Sequence, residues 1–352
     1  MIYVNRFDAT TGARADPAKR ALENAQKLDP DAPETLFALY SYQAMVLGDW
    51  EAAKASIERV SKMLPSSSEA QRALATVAKH EGHWDESIAY YEQALALDPR
   101  NVQILTQAGL TYANLRQFPA ALKLYDRILD IMPNDADVMA TKASIYQAQG
   151  NLSGAAKLLS GINEQTPNDA TFGRKLNQLQ YERNYGEAIR LLQARLAQFH
   201  YTSQSFKDGD MAMVAYIQRL TGDTAGAKVT AEQARNTYEQ QAQSDNPFSG
   251  TALAILYAVM GEKDSALKAA ERALLLPGAK QPALEERLAI IQTMCGENSR
   301  AIATLTKLLQ TPYFSSWYEP ASITPALLRI DPIWDPLRSD PAFQKLCEEK
   351  QP

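Results

Sequence analysis

A 34-residue period constrains this chain more than any other feature. Pro65, Pro99, Pro133 and Pro167 are each 34 residues apart. Gly48, Gly82, Arg116 and Gly150 repeat at the same step, and so do the large apolar residues Trp50, Trp84, Phe118 and Leu152. Three residues further on, Ala53, Ser87, Ala121 and Ala155 form a fourth ladder of small side chains. Chance does not bring four such ladders into coincidence, and a fixed period of 20–50 residues marks an array in which each unit buries its apolar face against the next.

The unit is a pair of antiparallel helices, A and B. Glycine after helix A supplies a left-handed C-terminal cap. Proline after helix B blocks its continuation, so that LDPRN (97–101) and MPNDA (132–136) each end one helix and begin another. Small residues belong where helices approach closely, which places Ser41, Ala75, Gly109 and Ala143 at the close contact of helix A. Ile57, Tyr91, Tyr125 and Leu159 are expected to fill the gaps between units from helix B. The pattern continues more weakly through units at Tyr185–Ala188, Ala215–Ala234, Ala254–Ala273 and Ala289–Leu308, which makes eight. Ahead of them, Asp16-Pro17-Ala18 through Pro30 reads as a lone helix B.

The expected organisation is therefore all-α and continuous. Residues 1–32 form a partial repeat, 33–310 the eight repeats, and 311–352 a loop and helical cap. Two connections are longer than the rest: Phe199–Asp208, a polar loop, and Thr311–Thr324, which carries aromatic residues. Helix B of the sixth unit extends over Thr224–Ala242, since no breaker interrupts it. Asp331-Pro332 and Asp340-Pro341 each read as an N-cap followed by proline at the first helical position. Trp334, Leu337, Phe343 and Leu346 are then free to cover the last repeat, as the end of an array requires. The alternative use of Trp317, Tyr318 and Trp334 is a docking surface.

These signposts, over roughly residues 16–310, resemble the tetratricopeptide repeat. That resemblance implies a right-handed superhelical solenoid with helix A on its concave face, serving as a protein- or peptide-binding scaffold. The closing stretch from Ala326 to Leu346, with its Asp-Pro-Ile-Trp-Asp-Pro-Leu-Arg core, resembles the end of tetratricopeptide sensor regions in large bacterial signalling proteins, where an effector such as a kinase, a cyclase or a winged-helix domain precedes the array. The implied role is a sensor or regulatory region acting on an attached or associated effector. A structural assembly module that self-associates through the solenoid is the alternative.

Composition narrows the chemistry. The formal net charge is −5 and no lysine/arginine-rich block exists, so the footprint of a nucleic-acid binder is missing. No stretch of about 20 apolar residues is present, and the N-terminus lacks the basic start and apolar run of a secretory signal, so a cytoplasmic protein that does not insert into membranes is expected. Cys295 and Cys347 are too few and too isolated for a disulfide framework or a metal motif. His80 and His83 straddle a glycine turn rather than sharing a helical face, and no third ligand accompanies them, so no metal site is expected. No phosphate-binding glycine loop, nucleophilic triad or recognisable acid/base pair stands out. The chain reads as a non-enzyme without cofactors.

A partner is then expected on the non-packing positions of helix A. In units three to five these are rich in amides and hydroxyls, which satisfy both edges of an extended peptide. The candidate strip is Thr106, Gln107, Asn114, Thr141, Gln147, Arg174, Asn177, Gln180 and Tyr181, with Asn114, Asn177 and Arg174 expected to be free of packing duties. Arg72 and Lys79 in unit two stand near the positions of the basic clamp by which some tetratricopeptide proteins hold acidic chaperone tails, but they and Arg174 are too scattered to reproduce it. Units six to eight present more apolar inner positions, such as Met213, Ile255 and Ile290.

Overall fold

A computed structural model describes residues 7–349 apart from 164, with side chains from residue 16 onward. Every regular element in it is helical. Two compact bodies divide the chain, Arg6–Pro133 and Asn134–Pro352.

The first body opens with α1 (Phe7–Leu28), which runs through Pro17 instead of starting at it. Three helix pairs follow. α2 (Pro33–Tyr42) passes into a π-turn (Gln43–Leu47) and pairs with α3 (Trp50–Met63). α4 (Ser68–His80) packs along α5 (Trp84–Leu97), and α6 (Val102–Asn114) along α7 (Phe118–Ile131). The ladders explain the packing. Ala53, Ser87 and Ala121 are fully buried where the paired helices meet, and Ser87 donates its hydroxyl to the Ala75 carbonyl at 2.8 Å. Ile57, Tyr91 and Tyr125 are likewise buried. Gly82 closes helix α4 at φ 80°, while Arg116 takes the same left-handed geometry at 59° in the third turn, as its place in the ladder requires. Ser41 departs from the expectation: it is exposed, and Tyr40 is buried instead. The π-turn takes one extra residue into the last turn of the helix, which shifts the residues before it by one position.

The second body holds five pairs: α8 (Ala136–Ala148) with α9 (Leu152–Leu159), α10 (Asp169–Tyr181) with α11 (Tyr185–Gln198), α12 (Gln204–Leu220) with α13 (Thr224–Gln241), α14 (Pro247–Val259) with α15 (Lys263–Leu274), and α16 (Pro282–Met294) with α17 (Asn298–Leu309). Asn151, Asn168, Asn184, Asp223 and Asn246 cap helices through side-chain oxygens that accept backbone N–H groups, which fixes where those helices begin. The connection expected over Phe199–Asp208 is shorter than its polarity suggested, because α12 already starts at Gln204. Asp208 is buried there and accepts from Gln204 at 2.7 Å and from Thr237, so its carboxyl is hydrogen-bonded inside the repeat rather than exposed in a loop. Nearby, Arg195 is fully buried between the rings of Phe172 and Phe199, and it pairs with Asp169 at 2.7 Å and Asp210 at 3.1 Å. Removing either carboxylate would leave a buried charge short of a partner.

After α17 the chain runs without regular structure to Thr324, then forms α18 (Pro325–Ile330), a 3-10 turn (Pro332–Leu337) and α19 (Pro341–Glu348). Asp331 and Asp340 cap the last two, accepting from Ile333 at 3.0 Å and Ala342 at 2.8 Å.

Candidate functional site

In the second body, the helices that carry the candidate strip meet the chain's own C-terminal segment. Thr324 donates to the Ala148 carbonyl at the end of α8, at 2.7 Å. Gln180, on α10, donates to Asp331 at 3.2 Å. Just beyond α10, Arg183 holds Asp335 through two nitrogens, at 2.6 and 2.8 Å. On α12, Tyr216 packs edge-on to Trp317 with ring centroids 5.9 Å apart. On α16, Glu286 accepts from Tyr313 at 2.7 Å and from Ser315 at 2.7 Å, and Arg287 donates to Ser316 at 3.0 Å. Residues 313–337 thus form a strap along helices α8, α10, α12 and α16. The covering of α17 is a second duty, performed by the 3-10 turn and α19.

The strap is built around two buried carboxylates. Asp331 accepts from Tyr318 at 2.9 Å, and the same Tyr318 oxygen accepts from the Trp334 indole at 2.9 Å. Burial pushes both Asp331 and Glu286 above the usual carboxylate range, against the pull of their hydrogen bonds. Burial also drives the phenols of Tyr181, Tyr216 and Tyr318 well above their ordinary value, so these groups stay neutral donors. Burial raises Asp335 too, but Arg183 and Arg338 outweigh it and hold the carboxyl low. Such an arrangement holds a polypeptide; the polar groups face one another and are consumed in doing so.

The predicted strip therefore divides. Gln147, Arg174, Gln180 and Tyr181 are buried in the second body, with Gln147 donating to the Arg174 carbonyl at 3.2 Å and to Gln178 at 3.0 Å. Thr141 and Asn177 remain half-buried, and Thr141 spends its hydroxyl on the Asp137 carbonyl. In the first body, Thr106 and Gln107 are half-buried, whereas Asn114 is fully buried. Asn114 and Arg174 are thus buried, contrary to expectation. Glu286, Asp331, Tyr313 and Ser315 were not expected at the site; the one advance sign was the aromatic content of Thr311–Thr324.

Polar groups also line the inner helix of the first body. On α4, Arg72 is held by Glu69 through two nitrogens, and Thr76 lies 3.4 Å from the Tyr91 hydroxyl. Lys79, two turns further along the same face as Arg72, makes no ion pair with any described residue. Burial, with Arg72 adding repulsion, pulls its ammonium down to about 8. Next to it at the end of α4, His80 stacks on Trp50 with ring centroids 4.0 Å apart, which accounts for it as a packing group. Among the described residues, no three His, Cys, Asp or Glu side chains gather as a metal site, and no helix is long and apolar enough to cross a membrane.

Tetratricopeptide-repeat models match residues 42–102, 73–137 and 113–179. Residues 42–179 are tetratricopeptide repeats. Repeats of this family generally mediate protein–protein interactions. Solved structures similar to this chain include MamA (22% identity, 52% of this chain and 99% of that chain, TM-score 0.36). A tetratricopeptide repeat protein from Parabacteroides merdae is 17% identical over 82% of this chain and 96% of its own, with a TM-score of 0.44. PilF from Pseudomonas aeruginosa is 19% identical over 59% and 92%, with a TM-score of 0.46. No curated protein sequence matches the chain.

Proposed function

We propose that this protein is a non-catalytic scaffold that holds a partner through an extended segment on the helix-A face of the body Arg6–Pro133. The observation that carries this reading is Lys79, a half-buried cation on α4 with no anion among the described residues paired to it. The repeat does not need a charge there: the same register position is Ala113 one repeat later and Gln147 two repeats later. A partner carboxylate placed at Lys79 would offset its desolvation, with the Gln107 side chain available for a backbone hydrogen bond. The resemblance of residues 326–346 to the closing stretch of bacterial sensor regions supports the finer reading of a regulatory region whose bound state biases an effector.

Lys79→Met tests both halves of the claim. The folded ammonium titrates near 8 and the unfolded one near 10.5. The desolvation cost is therefore fully present below pH 8 and fades as pH rises between those values. Lys79→Met should melt higher than wild type at pH 7, by an amount on the order of 1–3 kcal/mol, and the gap should close above pH 8. Partner capture from lysate of the source organism should fall with the same substitution. Undiminished capture would place the binding face elsewhere.

A further inference from the structure

The outer face of the array carries grooves where one helix A is flanked by two successive B helices, and one of them is unlike its counterparts. The groove across α6, between α5 and α7, has its polar groups committed: Arg127 donates to the Pro99 carbonyl at 2.6 Å, and Tyr112 donates to Glu92 at 2.9 Å. In the groove across α16, Lys307 is paired with Glu285 at 2.6 Å. The groove across α14 differs. It is a slot of ≈ 260 Å³ with a mainly apolar wall. Gly250 and Ala273 form its floor, and the helices are so close that a Cβ on Gly250 would lie 2.7 Å from that of Ala273. Leu253, Tyr257 and Leu276 make the sides. Lys268 and Arg272, one turn apart on α15, stand exposed at the mouth, and neither bonds to any described residue. Glu239, which borders the groove on α13, is already taken by the Tyr257 hydroxyl at 2.8 Å, and Glu262 by Arg235 at 2.6 Å.

We propose that this slot is a second docking site, which takes one apolar anchor side chain from an acidic segment of a partner protein. The slot has room for a leucine or phenylalanine side chain, and desolvating such a group supplies the attraction. The two cations one turn apart set the complementary charge: carboxylates beside the anchor would meet them at the rim, where they steer and select more than they hold. The site lies in the body Asn134–Pro352 and is independent of Lys79.

The probe is a fluorescein-labelled peptide, acetyl-Asp-Glu-Glu-Leu-Phe-Glu-Asp-amide, titrated into the full chain by fluorescence anisotropy. Two control peptides replace Leu-Phe with Ala-Ala, or all acids with lysine. Saturable binding of the first peptide alone is expected. Lys268→Glu combined with Arg272→Glu changes only exposed side chains, and it should weaken binding at least about tenfold. Ala269→Phe, which fills the slot, should do the same. If that variant misfolds, the charge reversal alone decides. No saturable binding up to about millimolar peptide overturns the proposal, given the micromolar-to-millimolar range of single-anchor contacts. Binding shared by either control peptide, or undiminished by the charge reversal, also overturns it.

Discussion

Asp331 concentrates the chemistry of the strap in one side chain. It caps the 3-10 turn through Ile333, receives Gln180 from α10, and anchors the Tyr318–Trp334 pair. Asp331→Ala would strand three donors in a dry interior, each costing roughly 1–3 kcal/mol, so a loss of about 3–5 kcal/mol is expected in the unfolding of the second body. Trp334 fluorescence in a urea titration reads it. Asp331→Asn keeps one acceptor and the shape, and its comparison with wild type isolates the charge. Because the folded carboxyl titrates above its unfolded value, the native state binds the proton first, and wild type gains stability as pH falls through the raised range. The asparagine variant gains nothing there. Its melting temperature relative to wild type should therefore be highest near neutrality and fall toward pH 4; a difference that does not change with pH would contradict a buried ionised Asp331.

At the scale of elements, the repeat was legible because its determinants are local and periodic. A small residue every 34 positions, a left-handed turn and a terminating proline each act within one helix pair, so a ladder of residues in the sequence is a ladder of contacts in space. Where a determinant was not periodic, reading failed. The π-turn at Gln43–Leu47 moves Ser41 out of the interior, and the buried pairing of Asp208 with Thr237 lets α12 begin a turn early. The strap was invisible for the same reason. Gln180 and Asp331 or Arg183 and Asp335 stand more than 150 residues apart, and no spacing announces such pairs. Of the nine strip residues, the sequence names positions on helix A but not what lies against them: Gln147, Arg174, Gln180, Tyr181 and Asn114 are buried. Close approach remains predictable where glycine marks it. Gly250→Ala puts a methyl group into the Ala273 methyl, neither on a flexible stem, and overpacking of this sort costs about 1–3 kcal/mol. Gly186→Ala, which meets open space, should leave the melting temperature unchanged or slightly raised. Thermal melts of the two variants side by side test whether α14 and α15 are held at contact distance.

For the whole second body, the strap alters what the array is. Without it, α8, α10, α12 and α16 would turn Tyr181, Tyr216, Glu286 and Gln180 to water, and neighbouring repeats would be joined only by nearest-neighbour contacts. With it, residues far apart along the array share a ligand. A terminal cap and a strap predict different outcomes when the chain is ended at Gln310. A cap protects only the repeat it covers, so its loss would raise amide exchange in α16 and α17 and leave α10 unchanged. A strap supports every helix it crosses. Truncation should then raise exchange in α8, α10, α12 and α16 together, while the outward helices α13 and α15 lose less, because their contacts with α12 and α14 do not involve residues 313–337. The exposed aromatic and apolar inner face should also bind a hydrophobic dye and lower solubility. Hydrogen exchange followed by mass spectrometry, peptide by peptide, separates the two cases, and α10 is the deciding segment. It is 132 residues or more from the strap in sequence, counting from Tyr181 to Tyr313, yet it is joined to the strap through Gln180 and, one turn beyond, Arg183. Protection of α10 that survives the truncation would reduce residues 313–337 to an end cap.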